Sequence, residues 1–351
     1  MNENTNDIIA NEANLTKKKV KKKFKKKPII ISVVLFFLFV ISLGSGYVYY
    51  TVSKVNTTKI SHNNDDLNIK PSVIEKIGNL SDPPRNIALF GVDRRGTDEY
   101  GNSDTIIIAS IDKANKKIKL SSIMRDTRVS IDGVGMSKLN AAYCSGGPEL
   151  AIKTINKNFD MNIKDFVTVD FFDMEKIIED LGGVSINIEA AEIPVLNDYL
   201  NEVDGLEKAK KKSPRVTKPG IQNLSGKQAV AYSRIRYIGN GDFKRTERQR
   251  TVLTALLTKI QSGGVTSFPS NVNKLLPYVE TSFSTMDILS IGKSVLTSGT
   301  KNIEQTRFPT DGAFTEQKLP TSYGLQDFIV PDLPKTIDQL HAFVFKDIMP
   351  K

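Results

Sequence analysis

An uncharged run of 23 residues, PIIISVVLFFLFVISLGSGYVYY at positions 28–50, limits what this chain can fold into. As a helix rising about 1.5 Å per residue it is about 34 Å long, enough to cross the hydrocarbon core of a bilayer. A secretory leader that is later cut away has a shorter apolar core and a small-residue exit. This run instead leaves through GSGYVYY, where Tyr47, Tyr49 and Tyr50 suit the lipid–water boundary. A retained signal anchor is therefore expected, ahead of a cleaved leader or a helix buried in a protein core. Nine lysines in KKKVKKKFKKK (17–27) precede the run, against Lys54 and Lys59 just after it. That asymmetry puts the N-terminus in the cytoplasm and everything after residue 50 outside.

The lysine run also dominates the formal net charge of +10, because residues 1–27 carry +6 and the other 324 only +4. Attraction to anionic lipid accounts for it, and no nucleic-acid partner is expected. One cysteine excludes an internal disulfide framework, and two distant histidines, His62 and His341, argue against a histidine-based metal centre. Outside the membrane there is no ATP pool, so an enzyme there must cleave its substrate or use a donor activated beforehand. The sequence agrees. GIQNLSGKQ (220–228) resembles a P-loop, but has five residues between its glycines and Gln where Ser or Thr is needed. No G-x-S-x-G occurs.

Residues 51–84, polar and rich in Asn, Ser and Lys at the start, read as an extracellular stalk, and residues 85–345 as one domain. Strands are expected at 86–92, 105–112, 116–124, 166–171, 184–188 and 302–308. Helices are expected at 147–159, 173–183, 225 onward, 243–262 and 272–298. Interleaving of this kind predicts an α/β fold with a mixed sheet covered on both faces.

Charged groups gather at three places. Asp93 ends one apolar strand and Asp104 precedes the next, so a hairpin would bring both carboxylates to one mouth. Two such carboxylates suit Mg²⁺, which completes its shell with water and substrate phosphate; both are also ordinary turn formers. Arg125 stands just beyond a strand in SSIMRDT (121–127). The third place is YSRIRYIGNGDFKRTERQR (232–250), where Arg234 and Arg236 share a face if 234–236 is extended. On the helix that follows, Leu253, Leu256, Leu257 and Ile260 form an apolar stripe, and Asp242, Arg245 and Gln249 fall in the same arc. Lys244, Glu247 and Arg248 fall outside it and are expected in solvent. An inward arginine needs a partner, so Asp242 neutralises Arg245 or the helix start lines a polar pocket. Several arginines beside a membrane point to a phosphate-rich ligand, which guanidinium groups grip in a bidentate fork.

Five ordered blocks carry a resemblance: GVD…SDT (91–105), SIMRDT (122–127), KLNAAY (138–143), LSGKQAVAYSRIR (224–236) and D-x-x-R-x-x-x-Q (242–249). With them the chain resembles the LytR-CpsA-Psr family of cell-envelope proteins over residues 85–330. The resemblance implies a three-layer α/β/α sandwich binding a polyprenyl-linked pyrophosphate. It also implies transfer of an anionic glycopolymer, of wall teichoic acid or capsular type, from that carrier to peptidoglycan. By it Asp93 and Asp104 hold Mg²⁺, and Arg125, Arg234, Arg236, Arg245 and Gln249 surround the pyrophosphate. Asp242 matches the acidic position of the last block, and Asp242 and Asp126 are candidates for a general base. One departure stands out: Asn102 occupies the position where the family usually has Arg, with Arg94 and Arg95 as nearby substitutes. Two rivals stay open, a non-catalytic membrane-bound binder or sensor of envelope polyanions, and a hydrolase of the lipid pyrophosphate.

Overall fold

The apolar strand runs carry side chains for two cores at once, because successive residues of a strand face opposite ways. The computed structural model describes residues 56–94, 100–209, 211–300, 302–322 and 324–350. The chain opens with β1 (Asn56–Thr57), α1 (Pro71–Gly78), β2 (Arg85–Asp93), β3 (Asn102–Asp112) and β4 (Lys117–Ile123). A small hairpin of β5 (Arg128–Ile131) and β6 (Gly135–Lys138) precedes α2 (Asn140–Phe159) and β7 (Asp165–Asp170). Then come α3 (Phe171–Asp180), β8 (Val184–Ile188), α4 (Glu192–Leu206), β9 (Gly220–Leu224), α5 (Gly226–Arg234) and α6 (Gly241–Ser262). The chain closes with α7 (Gly264–Leu275), β10 (Glu280–Thr281), α8 (Thr285–Thr297), β11 (Asn302–Phe308), the hairpin β12 (Phe314–Thr321) and β13 (Gly324–Pro331), and α9 (Leu333–Lys346).

Seven strands form one mixed sheet in the order β1-β10-β7-β2-β3-β4-β11. β2, β3 and β4 run antiparallel in sequence, while β7 lies parallel to β2 and β11 parallel to β4. Ile106 and Ile108 join Phe90 on one face, packed with Ile152, Ile155 and Phe159 of α2 and Phe343 of α9. Ile107 and Leu120 face the other way, against Val295 of α8 and the partly buried Leu253 and Leu257 of α6. Helices therefore cover both faces, as expected. A third cluster joins Ile178, Ile186, Leu200 and Val230 from α3, β8, α4 and α5 to Val252 and Leu256 of α6. α6 is thus buried along two faces.

Three expectations need correction here. The segment read as a stalk contributes Leu67, Ile69 and Val73 to the first core, so the folded domain starts well before residue 85. The helix expected at 272–298 is broken: a 3-10 turn at Leu276–Tyr278, containing Pro277, ends α7, and β10 joins the sheet before α8 begins. Proline lacks the N–H that a continuing helix needs. Arg234 closes a helix, so 234–236 is not a strand. Among the described residues no helix is long and apolar enough to cross a membrane, and residues 28–50 lie outside them.

Asn156 ties the corrected segment down. Fully buried on α2, it donates to the carbonyls of Leu67 (3.0 Å) and Ile163 (2.9 Å) and accepts from the Ile163 N–H (2.9 Å). Asn156→Ala strands all three backbone groups away from water and is expected to cost about 2–4 kcal/mol, at about 1–3 kcal/mol per unpaired buried group with partial relaxation. The urea midpoint of the purified protein measures it; an unchanged midpoint would contradict the role.

Candidate functional site

The hairpin of β2 and β3 places two carboxylates at one end of the sheet. Asp93 is the last residue of β2, opposite Asn102. Between them the ladder slips: Gly91 pairs with Thr105 and Val92 with Ser103, so Asp104 is the extra residue of a β-bulge. A bulge re-aims a side chain that regular alternation would send elsewhere. Gly91 permits it, since a Cβ there would sit 2.9 Å from the Cβ of Thr105.

Arg125 is held by its backbone surroundings. The Met124 N–H donates to Phe308 at the end of β11, and the Arg125 carbonyl accepts from the Asn140 N–H at the start of α2. Its side chain meets three carboxylates, Asp104 at 2.5 Å, Asp242 at 3.2 Å and Asp126 at 3.4 Å. Burial alone would lower the pKa of this guanidinium, but those three charges outweigh it and hold it above its ordinary value. Arg245 lies one turn into α6 and is buried, 3.1 Å from Asp242. Burial pulls its pKa down, and the neighbouring Arg125 charge adds to the effect. The Nε atoms of both arginines are buried without a hydrogen-bond acceptor. Two neighbouring cations, of which Arg245 is under-compensated and keeps a spare donor, form a site that an added anion would stabilise.

Asp93, Asp104, Arg125, Arg234, Arg236, Arg245 and Gln249 all line one cavity of about 220 Å³, with Phe171, Tyr199, Glu202 and Tyr237. Four guanidinium groups thus face three carboxylates. Arg234 arrives from the end of α5, and Arg236, two residues on, leans over the ring of Tyr237. Every position expected to bind metal or pyrophosphate is here. Asp242 is not in the lining; it pairs with Arg125 and Arg245 and faces a second cleft. Arg94 does not replace the arginine expected at Asn102: it donates to Glu280 (2.6 Å) and to the Tyr143 hydroxyl (3.4 Å). Arg95 lies outside the described residues. Arg248, expected in solvent, is buried and donates to Glu192 (2.8 Å) and the Ile235 carbonyl (3.0 Å), because α6 has two covered faces. Lys244 and Glu247 are exposed as expected.

Phe171 and Gln249 also line a second, apolar cavity of about 410 Å³. Its walls are Leu89 and Val167 of the sheet, Leu253 and Leu257 of α6, and Phe268 and Ile291 of α7 and α8. Nothing in the sequence separated these groove residues from core residues, because both are apolar and both follow helical spacing. The donor set suits Mg²⁺ in kind: Asp93 and Asp104 offer two carboxylates, and among the described residues no group of three or more acidic, His or Cys ligands forms a closed cage. A site of that type leaves positions for water and phosphate oxygens.

Two measurements follow. Inorganic pyrophosphate should raise the melting temperature of the protein, by about 2.7 kcal/mol of stability at a hundred times its Kd. Arg245→Met should remove most of that shift, and an equal shift in both would contradict the site. Behind the cavity, Glu175 sits in a crevice with Asp93 and Arg234. Burial, and then the Glu207 carboxylate beside it, push its pKa up from 4.5 to about 7. The folded state therefore holds a proton that the unfolded chain releases, and this group's contribution falls as pH rises from 4.5 to about 7. Urea midpoints should show Glu175→Gln stabilising relative to the parent at pH 8 and neutral at pH 4; the same difference at both would refute it.

The LytR_cpsA_psr family profile matches residues 46–327. "Regulatory protein MsrR" of Staphylococcus aureus (strain COL) is 30% identical over 254 residues, covering 70% of this chain and 72% of the relative. "Polyisoprenyl-teichoic acid--peptidoglycan teichoic acid transferase TagV" of Bacillus subtilis (strain 168) is 30% identical over 257 residues, 71% of this chain and 60% of that one. The crystal structure of B. subtilis TagV superposes with a TM-score of 0.58 at 25% identity, covering 77% of this chain and all of the other. The structure titled "TagT bound to LI-WTA" gives a TM-score of 0.56 at 23% identity, over 75% of this chain and 91% of that one, a likeness of fold. With the family profile spanning most of its length, this chain belongs to the LytR-CpsA-Psr family.

Proposed function

We propose that the chain transfers an anionic glycopolymer from a polyprenyl-pyrophosphate carrier to peptidoglycan, anchored by residues 28–50 with this domain outside the cell. The observation that carries the reading is that the arginine-lined cavity and the apolar one share Phe171 and Gln249 in their walls. That pairing fits an amphiphile with a charged diphosphate head and a hydrocarbon tail. The teichoic acid transferase activity in the name of TagV supports the same reading.

In this reading an acceptor hydroxyl oxygen bonds to the sugar-proximal phosphorus, and the bond from that phosphorus to the bridging oxygen breaks. Polyprenyl phosphate leaves, carrying the charge that the released hydroxyl proton balances, and a phosphodiester remains. Such transfers rely on positioning and charge stabilisation more than on covalent participation by the protein. Arg125 and Arg245, desolvated and fixed in place, stabilise the charge that gathers on the leaving phosphate. Arg234 and Arg236 hold the outer phosphate oxygens, and Gln249 marks the passage from head to tail. Asp93 and Asp104 would hold Mg²⁺, which when bound offsets charge on the phosphate oxygens.

The test is to incubate the full chain in detergent with lipid-linked glycopolymer, peptidoglycan oligomers and Mg²⁺, and to seek the conjugate by mass spectrometry. Arg125→Ala and Asp93→Asn should each reduce conjugate formation by about a hundredfold or more, and the second should also lose its Mg²⁺ dependence. Release of free polymer phosphate would indicate a hydrolase. Binding without either product would indicate a sensor.

A further inference from the structure

A second cleft, of about 550 Å³, opens beside the arginine cavity, between the start of α6, the turn at Met124–Asp126 and the β12–β13 hairpin. Its lining is rich in carboxylates. Asp126, Asp242, Glu316 and Asp327 line it, against the single cation Lys318 among its lining residues, with the rings of Phe243 and Phe328 between them. We infer that this cleft is the binding site for a neutral, hydroxyl-rich saccharide, the acceptor strand of the transfer; the inference rests on the transferase reading above.

Four observations carry it. Asp126 and Asp242 reach from the cleft to Arg125, which lines the arginine cavity and pairs there with Asp104. One side chain is therefore the party wall between the two spaces, and a hydroxyl seated against Asp242 approaches the phosphate site from outside the donor's own cavity. The donor and acceptor groups then decide what enters. Asp126 is paired with Arg125 and Lys138, Asp242 with Arg125 and Arg245, and Asp327 lies 3.8 Å from Lys318, so the cleft offers fixed carboxylate acceptors rather than a strong net charge. Sugar hydroxyls donate hydrogen bonds to such carboxylates, and apolar sugar faces rest on aromatic rings. The volume lies within the roughly 300–1,000 Å³ of small-ligand sites. Finally, the hairpin is fixed in place. The Ile329 N–H donates to the Asp126 carbonyl at 3.0 Å, and Arg307 packs on the rings of Phe243 (4.2 Å) and Phe314 (5.8 Å).

The experiment measures binding of two probes to the full chain in detergent: chitotetraose, an uncharged tetrasaccharide, and farnesyl diphosphate. The variant is Glu316→Ala with Asp327→Ala; both residues are exposed on the hairpin, and a thermal melt followed by circular dichroism checks that the fold is kept. Loss of charge-assisted hydrogen bonds should raise the chitotetraose Kd about tenfold or more, with the farnesyl diphosphate Kd unchanged. Three results would overturn the inference: no chitotetraose binding by the parent chain, equal binding by parent and variant, or a matching loss of farnesyl diphosphate binding. Preference of the parent chain for a lysine-containing peptide over chitotetraose would also count against it. Chitotetraose binding that follows the prediction, with no conjugate in the transfer assay, would sink the transferase reading and leave the saccharide cleft standing.

Discussion

A guanidinium group withdrawn from water must be matched by negative charge, and Arg125 is matched three times over. Asp104 reaches it from a bulged strand, Asp126 from the adjoining turn and Asp242 from the first turn of α6. These carboxylates belong to parts of the fold that are far apart in sequence, so holding Arg125 also holds β3, the turn and α6 in register. Arg245 is less well compensated, since it shares Asp242 and feels the like charge of Arg125. The imbalance gives the cavity its preference. The spare buried Nε of Arg245 favours an added anion beside Arg125, and a diphosphate carries enough charge to serve both.

The layering then places everything else. α6 packs against the sheet through Leu253 and Leu257 and against the third cluster through Val252 and Leu256. Its N-terminal turns therefore project Asp242, Arg245 and Gln249 into the gap where the two packed bodies meet. The apolar chamber lies further along the same helix, and the acidic cleft lies on the other side of Asp242. One helix thus borders three compartments of different chemistry, and Gln249 and Asp242 mark the boundaries.

Much of this was legible before any coordinates, for reasons that can be named. The interleaving of strands and helices predicted a sheet covered on both faces, and the helical arc placed Arg245 and Gln249 inward, where the structure has them. The same arc failed for Arg248, because a single stripe assumes a single buried face and its partner Glu192 is 56 residues away. The burial of Leu67 and Ile69 was hidden by the polar residues around them. The break in the helix expected at 272–298 required weighing Pro277 against strong local periodicity. The bulge at Asp104 and the β12–β13 hairpin were beyond reach: the first depends on a register slip opposite Gly91, and the second on pairing between Asp126 and Ile329.

The central claim is that desolvated guanidinium groups at the sheet end gather around one diphosphate, with a hydrocarbon tail in the chamber beside it. A crystal structure of the protein with a short polyprenyl diphosphate tests this directly. The account predicts diphosphate oxygens within hydrogen-bond distance of Arg125 and Arg245 and the chain passing Phe171 and Gln249 into the apolar cavity. A diphosphate bound elsewhere, with Arg125 still closed onto its three carboxylates, would contradict it.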